Sequence, residues 1–238
     1  MTNLQKQLFA LQDKDYREFH SRLMPTVDKA DIIGIRTPVL RKFAKEYIKT
    51  NEYLCFLKAL PHNFYEENNL HAFILSEMKD FSFVLSETDS FLPYIDNWAT
   101  CDCFRPKAFK KAVSSEEKRN ILLNKIFVWI ESGKTYTVRY AIGILMDLFL
   151  DDYFKPEYMR KVAEISSDEY YIQMMQAWYF ATALFKQCES ALPYITEKKL
   201  GYAVAKKAVQ KAAESYRIPA DMKLFLKNVI KSGYADKK

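Results

Sequence analysis

The stretch "SSEEKRNILLNKIFVWIESG", residues 114–133, carries the features that decide the fold. A serine pair precedes two glutamates, the pattern of a capping box at a helix N-terminus. A mostly apolar run follows with no two-residue alternation, and Gly133 stands where a helix end favours the left-handed conformation. The stretch therefore reads as one helix, starting at Ser114 or Ser115 and stopping at Gly133.

Working outward, the same grammar recurs. In "RTPVLRKFAKEYIK" (36–49), Thr37 is a candidate N-cap and Pro38 suits the first helical position, with Leu40, Phe43, Ala44 and Ile48 on one face. In "FYEENNLHAFILSEM" (64–78), acids open the helix, and Leu70, Phe73, Ile74 and Met78 supply an apolar stripe. "YTVRYAIGILMDLFL" (136–150), "SDEYYIQMMQAWYFATALFK" (167–186), "GYAVAKKAVQKAAES" (201–215) and "PADMKLFLKNVIKSG" (219–233) read likewise. The 238 residues contain only five glycines, too few for the tight turns of a β-sandwich or for phosphate-cradling loops. The expected class is all-α.

Weak internal likeness adds to this. "FLPYIDN" (91–97) returns as "ALPYITE" (191–197), and aromatic-led helices begin near Tyr65, Tyr136 and Tyr170. Short connectors between such helices suggest stacked helical pairs, an α-α superhelix, with a compact irregular helical domain as the alternative. No linker rich in Gly, Ser or Pro divides the chain. We expect one domain over 1–238, with 1–30 as an amino-terminal helical cap.

Hydrophobic residues make up 49% and charged residues 28%, an ordinary globular balance that argues against disorder. The most apolar stretch, "AIGILMDLFL" (141–150), is too short to cross a bilayer. The opening "MTNLQKQLFALQDKD" lacks a basic segment followed by an apolar run, so the expectation is a cytoplasmic protein whose four cysteines are reduced. Cys101-x-Cys103 has no second ligand pair, so neither metal nor cofactor is expected. The net charge of +6 is unevenly spread. Between Lys198 and Lys238, eleven Lys and Arg face three acids, which points to a polyanion such as nucleic acid or to a solvated helical face.

Three smaller features stand out. In "DNWATCD" (96–102), Trp98 and Asp102 lie four apart, about one helical turn, on one face. Arg139 and Trp178 each sit in an otherwise apolar helix. Taken singly, each suits a structural role: buried tryptophan, ion-paired arginine, carboxylate near a helix end.

Together they match a family. "IIGIRTPVLRKFAKEY" (32–47), "FLPYIDNWATCD" (91–102), "TYTVRYAIGILM" (135–146), "DEYYIQMMQAWYFATAL" (168–184) and "KKAVQKAAESYRI" (206–218) resemble the AlkD-type DNA alkylation repair glycosylases, which are built from HEAT-like helical pairs. The likeness runs from about residue 5 to 230. It implies a solenoid with a concave basic face that binds duplex DNA containing alkylated bases as a monomer. It places the family's functional tryptophan and aspartate on Trp98 and Asp102, its phosphate-contacting arginine on Arg139 and its second tryptophan on Trp178, all converging on one surface. Lys206, Lys207, Lys211 and Arg217, on a basic helix over 202–217, become the candidate sequence-independent phosphate contacts. The segment "PTVDKADIIG" (25–34) departs from the family in lacking an aromatic near the lesion.

The implied substrates, purines alkylated at N7 or N3, carry a positive charge and leave neutral, so no strong general acid is needed. Positive charge develops on the deoxyribose, as in glycoside hydrolysis. A carboxylate at Asp102 would stabilise it and orient the attacking water. An indole beside a cationic base gains about 0.5 to 2 kcal/mol that a neutral base does not. The competing functions are a DNA-binding HEAT-like protein without catalysis and a helical-repeat adaptor for another protein.

Overall fold

The computed structural model describes residues 1–234; Asp236, Lys237 and Lys238 of the basic carboxy-terminal count lie outside the described residues. Among them the chain forms fifteen α-helices and two short 3-10 turns, with no strand. The protein is all-α. It divides into two compact units, Met1–Leu122 and Leu123–Lys238.

The first unit contains α1 (Asn3–Phe9), α2 (Lys14–Ser21), α3 (Thr37–Tyr47), α4 (Glu52–Lys58), α5 (Tyr65–Glu77), α6 (Phe81–Phe91), α7 (Trp98–Cys103) and α8 (Lys107–Ala112). The division falls inside α9 (Glu116–Ile130). That helix matches the opening stretch: Ser115 Oγ lies 3.5 Å from the Lys118 amide nitrogen, and Gly133 has φ 69°. At α3 the expected start shifts by one residue. Arg36 holds the extended capping position, and Thr37 is already helical.

The single-face reading of α5 is corrected. Every residue from Tyr65 to Ser76 is buried, because α5 runs through the middle of its unit and packs on α3, α4, α6, α7 and α8. Its two acids are paired instead of solvated, as burial demands. Glu67 accepts from the Gln5 side chain at 3.2 Å and from the backbone of Asn63 and Phe64 at 3.0 Å each. Glu66 accepts from the backbone of Ile33, Gly34 and Ile35 at 2.8, 2.7 and 3.2 Å. Only glycine fits at the centre of that loop. Gly34 has φ +92°, and a Cβ there would lie 2.4 Å from Arg17 Cβ.

Two histidines, His71 fully buried and His62 half-buried, form a pair in this unit. His62 Nε2 lies 2.9 Å from His71 Nδ1, and the rings stack on Phe56 and Phe91 at 4.3 and 4.0 Å. Burial lowers the His62 pKa to about 4 and holds His71 well below its ordinary value. In the unfolded chain both titrate near 6.5, so below that pH the unfolded state binds protons that the folded state refuses. The stability this neutral pair contributes is complete above pH 6.5 and is lost as pH falls toward 4. His62 alone accounts for about 2 kcal/mol lost at pH 5. Urea unfolding at pH 7 and pH 5 checks this, and His62→Phe should flatten the dependence.

The second unit contains α10 (Thr135–Leu148), α11 (Pro156–Ala163), α12 (Tyr170–Lys186), α13 (Cys188–Thr196), α14 (Tyr202–Glu214) and α15 (Ala220–Gly233). Here α10, α12 and α14 pack in succession, while α13 joins α11, α12 and α15. This is the helical-pair packing of a repeat solenoid, with α10, α12 and α14 starting at Thr135, Tyr170 and Tyr202. Among the described residues no helix is long and apolar enough to cross a membrane.

Candidate functional site

In the first unit, α7 is a six-residue helix pinned at both ends. Asn97 Oδ1 accepts from the Thr100 amide at 2.8 Å, and the Arg105 guanidinium donates to the carbonyls of Cys101 and Phe104 at 3.0 and 2.9 Å. The N-cap is therefore Asn97, and Asp102 lies in the last turn. Thr100 Oγ1, 2.9 Å from Asn69 Oδ1, ties α7 to α5. Ala99, Thr100 and Cys101 turn into the core, which leaves Trp98 and Asp102 half-buried on the other face.

Trp98 is held on two sides. Its Nε1–H donates to the Leu23 carbonyl at 3.1 Å, and its ring packs on Met24, Ile32, Tyr65 and Ala99, with Val27 alongside. The segment 25–34 thus meets Trp98 with aliphatic surface, and the aromatic of this cluster is Tyr65 from α5. Behind it runs a polar relay that no motif or spacing in the sequence marks. Tyr65 Oη lies 3.0 Å from His20 Nε2, and His20 Nδ1 lies 3.4 Å from Tyr16 Oη. Burial lowers the His20 pKa, so the neutral ring can accept from one hydroxyl while donating to the other.

In the second unit, Arg139 and Trp178 have opposite environments. Arg139 is only 6% exposed, and its guanidinium donates to the Tyr171 carbonyl at 2.9 Å. Trp178, on a helix that is otherwise largely buried, is 42% exposed. Lys211 Nζ stands 5.6 Å from the centre of its ring. Phe185, two turns further along α12, is also exposed and has the Arg217 guanidinium at 5.3 Å.

The basic residues do not form a single stripe. Helix α14 ends at Glu214, which corrects the helix expected over 202–217, and Arg217 lies in the turn beyond. Lys211 and Arg217 line a groove of about 420 Å³ with Trp178 and Phe185. Lys206 lines another, of about 660 Å³ between α14 and α15, with Tyr202, Lys227 and Lys231. Lys207 bonds Gln210 Oε1 at 3.4 Å. The sequence reading missed Lys227 and Lys231, although their i, i+4 spacing in "KNVIK" could have marked them.

A family model described as DNA alkylation repair enzyme matches residues 4–168. The chain belongs to the DNA alkylation repair enzyme family. Comparison with curated proteins finds no match. Family membership supports a general role in DNA repair with DNA as the interacting molecule. The matched span takes in Trp98, Asp102 and Arg139; Trp178 and the basic helix α14 lie past its end. Among the described residues, no cluster of three or more His, Cys, Asp or Glu could hold a metal ion.

Proposed function

We propose that this DNA alkylation repair protein is a glycosylase that hydrolyses the N-glycosidic bond of cationic N7- or N3-alkylated purines in duplex DNA. The observation that carries the reading is the pair on α7: an anchored indole and a carboxylate on one half-buried face, with Ala99, Thr100 and Cys101 turned into the core. Trp98 would contact the cationic base, where cation–π attraction separates it from neutral bases, and Trp178 is the second tryptophan proposed to act on the DNA. Asp102 would stabilise the oxocarbenium-like sugar and orient water. Arg139 would contact a phosphate, its guanidinium already oriented by the Tyr171 carbonyl. Lys206, Lys207, Lys211 and Arg217 would add sequence-independent phosphate contacts. We propose that it acts as a monomer in the cytoplasm, without a cofactor.

Release of free base from duplex DNA carrying N7-methylguanine tests the reading directly. No release above the spontaneous rate, with lesion DNA bound, would favour a second reading: a DNA-binding protein that does not excise. The segment 25–34 favours that alternative, because it meets Trp98 with aliphatic side chains where the resembled glycosylases have an aromatic near the lesion.

DNA binding should weaken steeply with salt and be largely indifferent to sequence. Three or four phosphate contacts give a slope of log affinity against log salt of roughly −3 to −4. Alanine at Lys206, Lys207 and Lys211 together should flatten that slope, as anisotropy titrations between low and moderate salt would show. Affinity that does not change with salt would make the basic end a solubility feature.

A further inference from the structure

The α12–α14 groove has a form that phosphate contacts alone do not require. Trp178 and Phe185 stand seven residues apart on one face of α12, 42% and 45% exposed, and the residues between them on that face are the small Ala181 and Thr182. Along a helix, seven residues rise about 10.5 Å, so the two side chains leave one face of α12 about that far apart. Three stacking intervals at about 3.4 Å nearly fill it. Two flat rings therefore fit between the two aromatics, above a floor of small side chains.

Charge marks the same groove. Lys211 and Arg217 stand over the two rings at 5.6 and 5.3 Å, and Ser215 adds a hydroxyl to the lining. Glu214, the acid of the groove, accepts a hydrogen bond from Gln210 at 3.2 Å. Tyr216, fully exposed in the turn next to Arg217, offers another aromatic surface. Exposed rings interleaved with cations are the features that hold unpaired bases by stacking while tracking their phosphates.

The geometry points to a seat for two adjacent unstacked bases of single-stranded DNA between Trp178 and Phe185, with Lys211 and Arg217 on the strand's phosphates. This rests on the reading of DNA as the partner. It adds a substrate form, a strand with unpaired bases, and a residue, Phe185, that duplex binding does not call on.

The test uses the full chain and three labelled probes at one salt concentration: a thymidine dodecamer, an abasic dodecamer with the same phosphates, and a 12-base-pair duplex. We expect the thymidine strand to bind more tightly than the abasic one and to quench Trp178 emission, identified as the part lost in Trp178→Phe. Phe185→Ala should weaken thymidine binding roughly tenfold while changing duplex binding less than twofold, since a stacked base contributes that order of affinity. Phe185→Tyr should restore it, which separates stacking from damage to the fold. Equal binding of abasic and thymidine strands, or thymidine binding unaffected by Phe185→Ala, overturns the seat and leaves the duplex reading standing. Failure to bind any of the three overturns both.

Discussion

Replacing Asp102 with asparagine should slow release of N7-methylguanine by roughly tenfold to a thousandfold, ~1.4 to 4 kcal/mol of transition-state free energy. Asparagine keeps the shape and most of the hydrogen bonding and removes only the charge. The substrate is cationic on its base before reaction, whereas the sugar becomes cationic only as the bond breaks. An electrostatic role on the sugar therefore appears in the rate and scarcely in binding. Stability has to be measured alongside, to separate a structural effect from a catalytic one. The N-cap of α7 is Asn97 and the carbonyls of Cys101 and Phe104 are held by Arg105, two residues that the variant does not replace. A stable variant that binds lesion DNA and excises at the native rate would show the carboxylate to be structural, and the glycosylase mechanism proposed here would fall.

The largest effect on stability is expected at Glu66. Its carboxyl, completely buried, is the acceptor for three consecutive backbone amides in the loop ahead of α3. Burial raises its pKa, and the same three N–H groups pull it back down. Glu66→Ala leaves those donors buried without a partner, at a cost of about 3 to 5 kcal/mol. For a chain of this size that lowers Tm by on the order of 10 °C. Glu66→Gln should cost less, because one oxygen remains while an amide N–H₂ meets the other donor. The effect should also reach the candidate site, since Ile32 beside this loop packs on Trp98. Calorimetry of the two variants checks the order, and an alanine variant as stable as the native chain would show that the loop does not depend on this carboxylate.

Much of the fold was legible because helix termini are local. Ser115 and Gly133 bracket α9 as capping chemistry demands, and the spacing of Trp98 and Asp102 alone puts them on one face of α7. Scarce glycine and missing alternation excluded a sheet without any knowledge of packing. The family motifs could be read for the same reason, as they are strings of residues in order.

What the sequence could not reveal is which polar groups end up inside and which aromatics outside. Period alone makes α5 amphipathic, yet it is buried all round, because five other helices surround it and each of its acids finds backbone donors from a different segment. The string LPYI is a 3-10 turn (Leu92–Tyr94) followed by an extended Ile95 in its first copy, and part of a helix at 192–195 in its second. In the second copy Ile195 is fully buried and the helix runs past Pro193, so tertiary packing there overrides the local break. Trp178 sits in as apolar a run as any core residue, and only the packing of α12 on α10 and α14 leaves it facing outward beside Lys211. Local spacing determines which residues share a face; the neighbouring helices decide whether that face meets solvent or the core.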